Sequence, residues 1–319
     1  MTFKKMIMNI IEYLRRQSVE DIFKINTFNS GWLSWKNEID DILGTTLTAN
    51  NILNLGDRLS EIFKVTSAAG RDQGSLSGGG TAWEALVCYY INLCTVNSRV
   101  VAIRKMSLVP KNIQDAITVN YSNFPCNTES DITILIFPDT EEYTNNINTI
   151  QYHNNLGIIT YLYMNSRVNN EVLNNLIERD FPQFEIGVIQ CKTNWNDNAQ
   201  IPMLWDMIYS AGGFSGRNIT IGRNNFSIQN CRNFTYSFVT VPSNNTTYKD
   251  TAVAVKRVYN LSGGNYWGKP TQANVCRSLK EIFNNNYASG FITGGARAGI
   301  TAVLNEFEAG GKYNYFRLK

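Results

Sequence analysis

FEIGVIQCKTNW, residues 184–195, decides how this chain is read. Its apolar run is that of a strand buried inside a sheet. Residues alternate faces along a strand, so Gln190 and Lys192 share one face while Ile189 and Cys191 share the other. A lysine on an apolar strand is costly unless an anion partners it. Two carboxylates upstream are equally out of place. Asp131 opens the apolar strand SDITILIFP (130–138), and Glu84 lies within TAWEALVCYYINLC (81–94), an otherwise apolar helix. Polar groups in three apolar elements predict one shared site.

Outward from these three segments the pattern is mixed. Residues 1–65 read as helical, with apolar residues at three- and four-residue spacing in FKKMIMNIIEYLRRQ and in ANNILNLGDRLSEIFKVTSAAG. In the first of these, Met6, Ile10 and Leu14 form one stripe and the lysines and arginines lie elsewhere; Asn50 or Asn51 caps the second. GRDQGSLSGGG (70–80) reads as a loop, with Thr81 as the N-cap of the following helix and Glu84 at the capping-box position. RVVAIRK (99–105), LGIITYLYM (156–164), ITIGR and FTYSFVTVP read as strands, followed by AVAVKRVYNL. NNEVLNNLIERDF (169–181), AQIPMLWDMIYSAG (199–212) and SLKEIFNNNY read as helices, with Gly212 ending the second. The order is helix, three strands, helix, strand, which predicts a mixed α/β domain.

Composition narrows the chemistry. The formal net charge is only +3, so a nucleic-acid site must be a local surface and not a global one. No apolar run is long enough for a transmembrane helix. The six cysteines show no C-x-x-C pair and no secretory signal precedes them, which predicts reduced thiols in a cytoplasmic protein. The single histidine, His153, reads as a surface residue; it excludes metal sites built on paired histidines and two-histidine RNase chemistry. Carboxylates, lysine or a metal must carry any reaction. A hard divalent cation takes oxygen ligands, and Glu84, Asp131, the amide of Gln190 and the backbone carbonyl of Cys191 supply them. Lys192 then stands beside them to hold a water and stabilise charge on a phosphorus centre.

Asp131 followed by Gln190-Cys191-Lys192 resembles the PD-(D/E)XK nuclease superfamily, which includes most type II restriction endonucleases. Glu84 on its helix resembles the additional metal-binding acid of many members. The resemblance implies a restriction-endonuclease-like α/β core, one mixed central sheet flanked by helices, with Mg2+ (Mn2+ substituting) and double-stranded DNA. It covers about residues 81–211. With the helical pattern of the N-terminus, it divides the chain into an N-terminal helical region at 1–70 and a nuclease domain at 71–319, whose C-terminal part is expected to contact DNA or dimerise. The expected function is site-specific cleavage in restriction-modification by a homodimer, or else repair or defence nuclease activity. Two departures stand out: Gln190 replaces the usual acid, and Ser130 stands where proline usually precedes the Asp. Gln190 keeps open a non-catalytic DNA-binding or structural protein on the same fold. Taken singly, Lys192 ends a strand, Asp131 caps a turn and Glu84 closes a capping box.

Polar loops supply candidate DNA contacts. Asn194, Asn196 and Asn198 follow Lys192 directly, and such amides read adenine edges. Arg217 and Lys269 lie in glycine-rich turns. Gly263 to Pro270 mimics a phosphate loop, but Pro270 replaces the hydroxyl residue, so no nucleotide cofactor is expected. Trp83, Trp195 and Trp205 flank the site elements and are read as core.

Overall fold

The apolar runs at 100–103, 132–136 and 185–192 are buried along nearly their whole length, which requires cover on both faces of a sheet. The computed structural model describes residues 8–68, 76–127, 130–153, 157–193, 200–241, 249, 251–259, 261–266, 276 and 278–319. Helices α1 (Ile10–Ile22), α2 (Asn26–Leu43), α3 (Ala49–Asn54), α4 (Leu59–Ala68) and α5 (Leu76–Cys94) come first. Strand β1 (Val100–Ile103) follows, then α6 (Lys111–Ile117), β2 (Val119–Tyr121), β3 (Phe124–Cys126) and β4 (Ile132–Ile136). Next come α7 (Glu141–Thr144), the hairpin β5 (Gln151–His153) and β6 (Ile159–Tyr161), and the hairpin β7 (Tyr163–Met164) and β8 (Arg167–Val168). Helix α8 (Asn170–Asp180), β9 (Glu185–Lys192), α9 (Gln200–Ala211), β10 (Gly213–Phe214), β11 (Ile219–Ile221) and β12 (Asn233–Thr240) lead to the last elements. These are α10 (Val253–Tyr259), β13 (Asn265–Tyr266), α11 (Lys280–Asn286) and α12 (Gly295–Thr301).

One mixed sheet, in the order β1-β4-β9-β12-β13, organises the chain. Strands β1, β4 and β9 form an antiparallel meander, and β12 returns parallel to β9 after α9. On one face Val100, Ala102, Ile132, Ile134, Ile189, Cys191 and Val239 join a core with Trp83, Leu86 and Tyr90 of α5 and residues of α1 to α4. On the other, Val101, Ile103, Leu135, Val188, Tyr236 and Phe238 pack with Ile113 of α6, Leu176 of α8 and Trp205 and Tyr209 of α9. A four-stranded antiparallel sheet, β10-β11-β2-β3, lies apart from the main one.

The helix–sheet alternation read from the sequence holds, with local corrections. Helix α5 starts at Leu76, so Thr81 is not its N-cap and Glu84 lies well inside the helix. Thr48, not Asn50 or Asn51, caps α3 by accepting the Asn51 N–H at 3.1 Å. Arg15 does not face solvent but is fully buried; Met6 lies outside the described residues. LGIITYLYM is divided between two small hairpins off the main sheet, with Ile159 exposed. Part of AVAVKRVYNL is the helix α10: packing on α9, through Val255 in the core and Arg257 donating to Gln200 at 2.9 Å, overrides the strand-like alternation. Gly212 follows α9 with φ +71, the left-handed conformation that glycine adopts without strain. All six cysteines are free. No helix among the described residues is long and apolar enough to cross a membrane.

Candidate active site

The antiparallel meander gathers the predicted residues at one end of the sheet. Ile132 of β4 pairs with Ile189 of β9, so Asp131, one step outside the ladder, falls opposite Gln190, and Lys192 closes β9 just beyond. Ile103 of β1 pairs with Thr133, which brings Arg104 to the same end. Helix α5 crosses that end on one face and contributes Glu84.

Asp131 is fixed to β9 by its side chain: Oδ2 accepts the Cys191 N–H at 2.7 Å. The N–H and C=O of a strand residue point to the same side. The Cys191 carbonyl therefore also points past the start of β4, beside Asp131. The Lys192 carbonyl turns the other way and accepts the Val241 N–H at 3.2 Å.

Glu84 pairs with Arg104, whose Nη1 lies 3.2 Å from Oε2, and each side chain is about a fifth exposed (20% and 21%). Burial raises the Glu84 pKa above the usual carboxylate range, and the Arg104 charge and hydrogen bond, then the Lys192 charge, offset only part of that rise. Burial likewise holds the Cys191 thiol well above the usual range, with the charges of Asp131 and Glu84 adding and Lys192 opposing. Asp131 thus touches Cys191 directly, while Glu84 and Lys192 lie near enough for their charges to bear on its thiol.

Gln190 is placed differently. It is fully buried, and its Oε1 accepts the Tyr236 hydroxyl at 2.8 Å. Tyr236 belongs to the core on the side of the sheet away from α5. The amide oxygen expected to serve as a ligand is already bonded inside the opposite layer from Glu84. Tyr236 was legible as a polar residue in FTYSFVTVP, though nothing in the sequence paired it with Gln190. Arg104 also escaped the sequence reading. Its signal was a cation directly after the apolar run VVAI, the same anomaly that singled out Lys192.

The surrounding candidates divide. Trp83 is fully buried and its Nε1 donates to the Val239 carbonyl at 3.3 Å, so it is core, as is Trp205. Arg217 is exposed on the turn between β10 and β11. Asn194, Trp195, Asn196, Asn198 and Lys269 lie outside the described residues. His153 is exposed on β5, away from the central sheet. Compared with known proteins, the chain matches no family model and no curated protein.

Proposed function

We propose that the chain is a Mg2+-dependent endonuclease that hydrolyses phosphodiester bonds of double-stranded DNA on a restriction-endonuclease-like core. The observation that carries this reading is Asp131 bonded to the Cys191 N–H where β4 and β9 end, with Lys192 closing β9 and Glu84 paired to Arg104 just beyond the end of β1. Asp131, Glu84 and the Cys191 carbonyl are hard oxygen donors and fit a divalent cation, with Mn2+ able to substitute. When bound, such a cation draws charge from a phosphate and makes water a better nucleophile near neutral pH. Asp131 is held in register by the Cys191 N–H. Lys192 places its ammonium where negative charge develops on the phosphate and orients the attacking water. Gln190, bonded to Tyr236, braces the end of β9 against β12 and so fixes the backbone from which Lys192 projects.

Site-specific cutting in a restriction system, by a homodimer that presents two sites to two strands, is the biological form we infer. Arg217 and the residues Asn194, Asn196, Asn198 and Lys269 are proposed as DNA contacts. One observation favours a second reading. Gln190 is neutral and satisfied inside the core, as in a DNA-binding protein that has lost its third acid. Incubation with supercoiled plasmid and Mg2+ separates the two. Discrete fragments that vanish in EDTA are expected; a smear indicates a non-specific nuclease, and plasmid left intact but shifted on a gel supports the binding protein.

A further inference from the structure

Arg104 has a feature that its pairing with Glu84 does not explain. Its Nη1 donates to Glu84, but its Nε is buried with no hydrogen-bond acceptor among the described residues. Buried polar groups are normally satisfied, and an ionised donor left without an acceptor is among the costlier exceptions. Arg15, the other arginine in the layer between helices and sheet, uses all three of its nitrogens. Arg104 therefore has an unused donor at the end of the sheet that carries Asp131 and Lys192, beside Glu84.

The charges point to what that donor is for. Arg104 and Lys192 together balance Glu84 and Asp131. A divalent cation held by the two carboxylates leaves the group at +2, suited to an anionic phosphodiester. The cation and Arg104 both seek Glu84, so they compete for it. The planar guanidinium is built to grip two oxygens of a phosphate, which an ammonium cannot do in the same geometry.

We infer that Arg104 is a phosphate-contacting residue held on Glu84 until a divalent cation displaces it, after which its guanidinium, Nε included, binds a non-bridging oxygen of the scissile phosphate. This rests on the nuclease reading. It assigns Arg104 two separable effects: opposing metal binding in the free protein, and binding the substrate once the metal is present.

The test uses the full-length protein with Arg104→Gln and Arg104→Lys, after circular dichroism and thermal melting show both variants folded. Mn2+ affinity without DNA is read from the EPR signal of free Mn2+, and plasmid cleavage is timed in Mg2+. Arg104→Gln should bind Mn2+ about tenfold more tightly than wild type and cleave at least about tenfold more slowly. Arg104→Lys keeps the competing charge but loses the fork, so it should bind Mn2+ as wild type does and still cleave slowly. Cleavage by both variants at the wild-type rate, or Mn2+ affinity of Arg104→Gln no higher than wild type, overturns the inference. A merely structural role predicts that both variants lose Mn2+ affinity and cleavage together. Wild-type protein that binds Mn2+ but leaves plasmid intact overturns the nuclease reading instead, and the Mn2+ comparison then judges the competition at Glu84 separately.

Discussion

Two arginine–glutamate pairs join helices to the same sheet, and they are built differently. Arg15 and Glu12 on α1 are sealed, at 0% and 3% side-chain exposure. Arg15 Nε bonds Glu12 at 3.0 Å, Nη1 bonds Thr95 Oγ1 at 2.6 Å, and Nη2 bonds the Val100 carbonyl at 2.8 Å. The remaining Glu12 oxygen accepts the Asn97 N–H at 3.1 Å and the Tyr313 hydroxyl at 2.9 Å. This network ties α1, the end of α5, the start of β1 and the C-terminal segment into one unit. Arg104 and Glu84 are partly open to solvent, make one hydrogen bond to each other, and leave a buried donor without an acceptor among the described residues. A buried ion pair with every donor satisfied holds a structure in one conformation; a pair with a donor left over can exchange partners.

The contrast breaks most sharply in stability. Arg15→Met leaves Glu12 buried without its cation, and we expect a loss of roughly 3–5 kcal/mol, read by chemical denaturation. Tyr236→Phe removes the donor to the Gln190 amide and should cost about 1–3 kcal/mol. It should also lower cleavage through a displaced Lys192, since Gln190 and Lys192 lie two positions apart at the end of β9. Arg104→Gln, at the open pair, should change stability by no more than about 1 kcal/mol while altering metal affinity. Equal losses of stability at Arg15 and Arg104 would remove the distinction between the pairs.

That asymmetry also explains what the sequence could show. The site strands were legible because Asp131 and Lys192 interrupt apolar runs, and a polar residue in a buried strand is rare enough to be informative. Glu84 was found by the same logic on α5, although the helix begins at Leu76 and the supposed capping box does not exist. The burial of Arg15 was not legible, because its i to i+3 pair with Glu12 looks the same on an exposed helix face as in a core. Only the residues across from it, Thr95, Ser98 and Val100, distinguish the two cases. The partner of Gln190, Tyr236, was not legible, because it lies 46 positions away on another strand. Alternation within a strand gives the face; only strand pairing gives what covers it.

The smallest effect sharpens the backbone assignment. Cys191 contributes its N–H, and in the proposed site its carbonyl, while its thiol is buried in the core beneath α5. Brief iodoacetamide treatment of the native protein should therefore leave Cys191 unlabelled by mass spectrometry and cleavage unchanged. Cys88, pushed up to about 12 by burial, should be equally protected. Rapid labelling of Cys191 would show that this end of β9 is open in a way the packing does not provide.

The most direct test of the central claim is a time course of supercoiled plasmid in Mg2+ with wild type and Lys192→Ala, run beside a gel-shift assay in Ca2+. The account predicts that wild type cuts, that Lys192→Ala cuts about 10²–10³-fold more slowly, and that both bind DNA alike. Cleavage by Lys192→Ala at the wild-type rate, or wild-type cleavage that persists in EDTA, would contradict it.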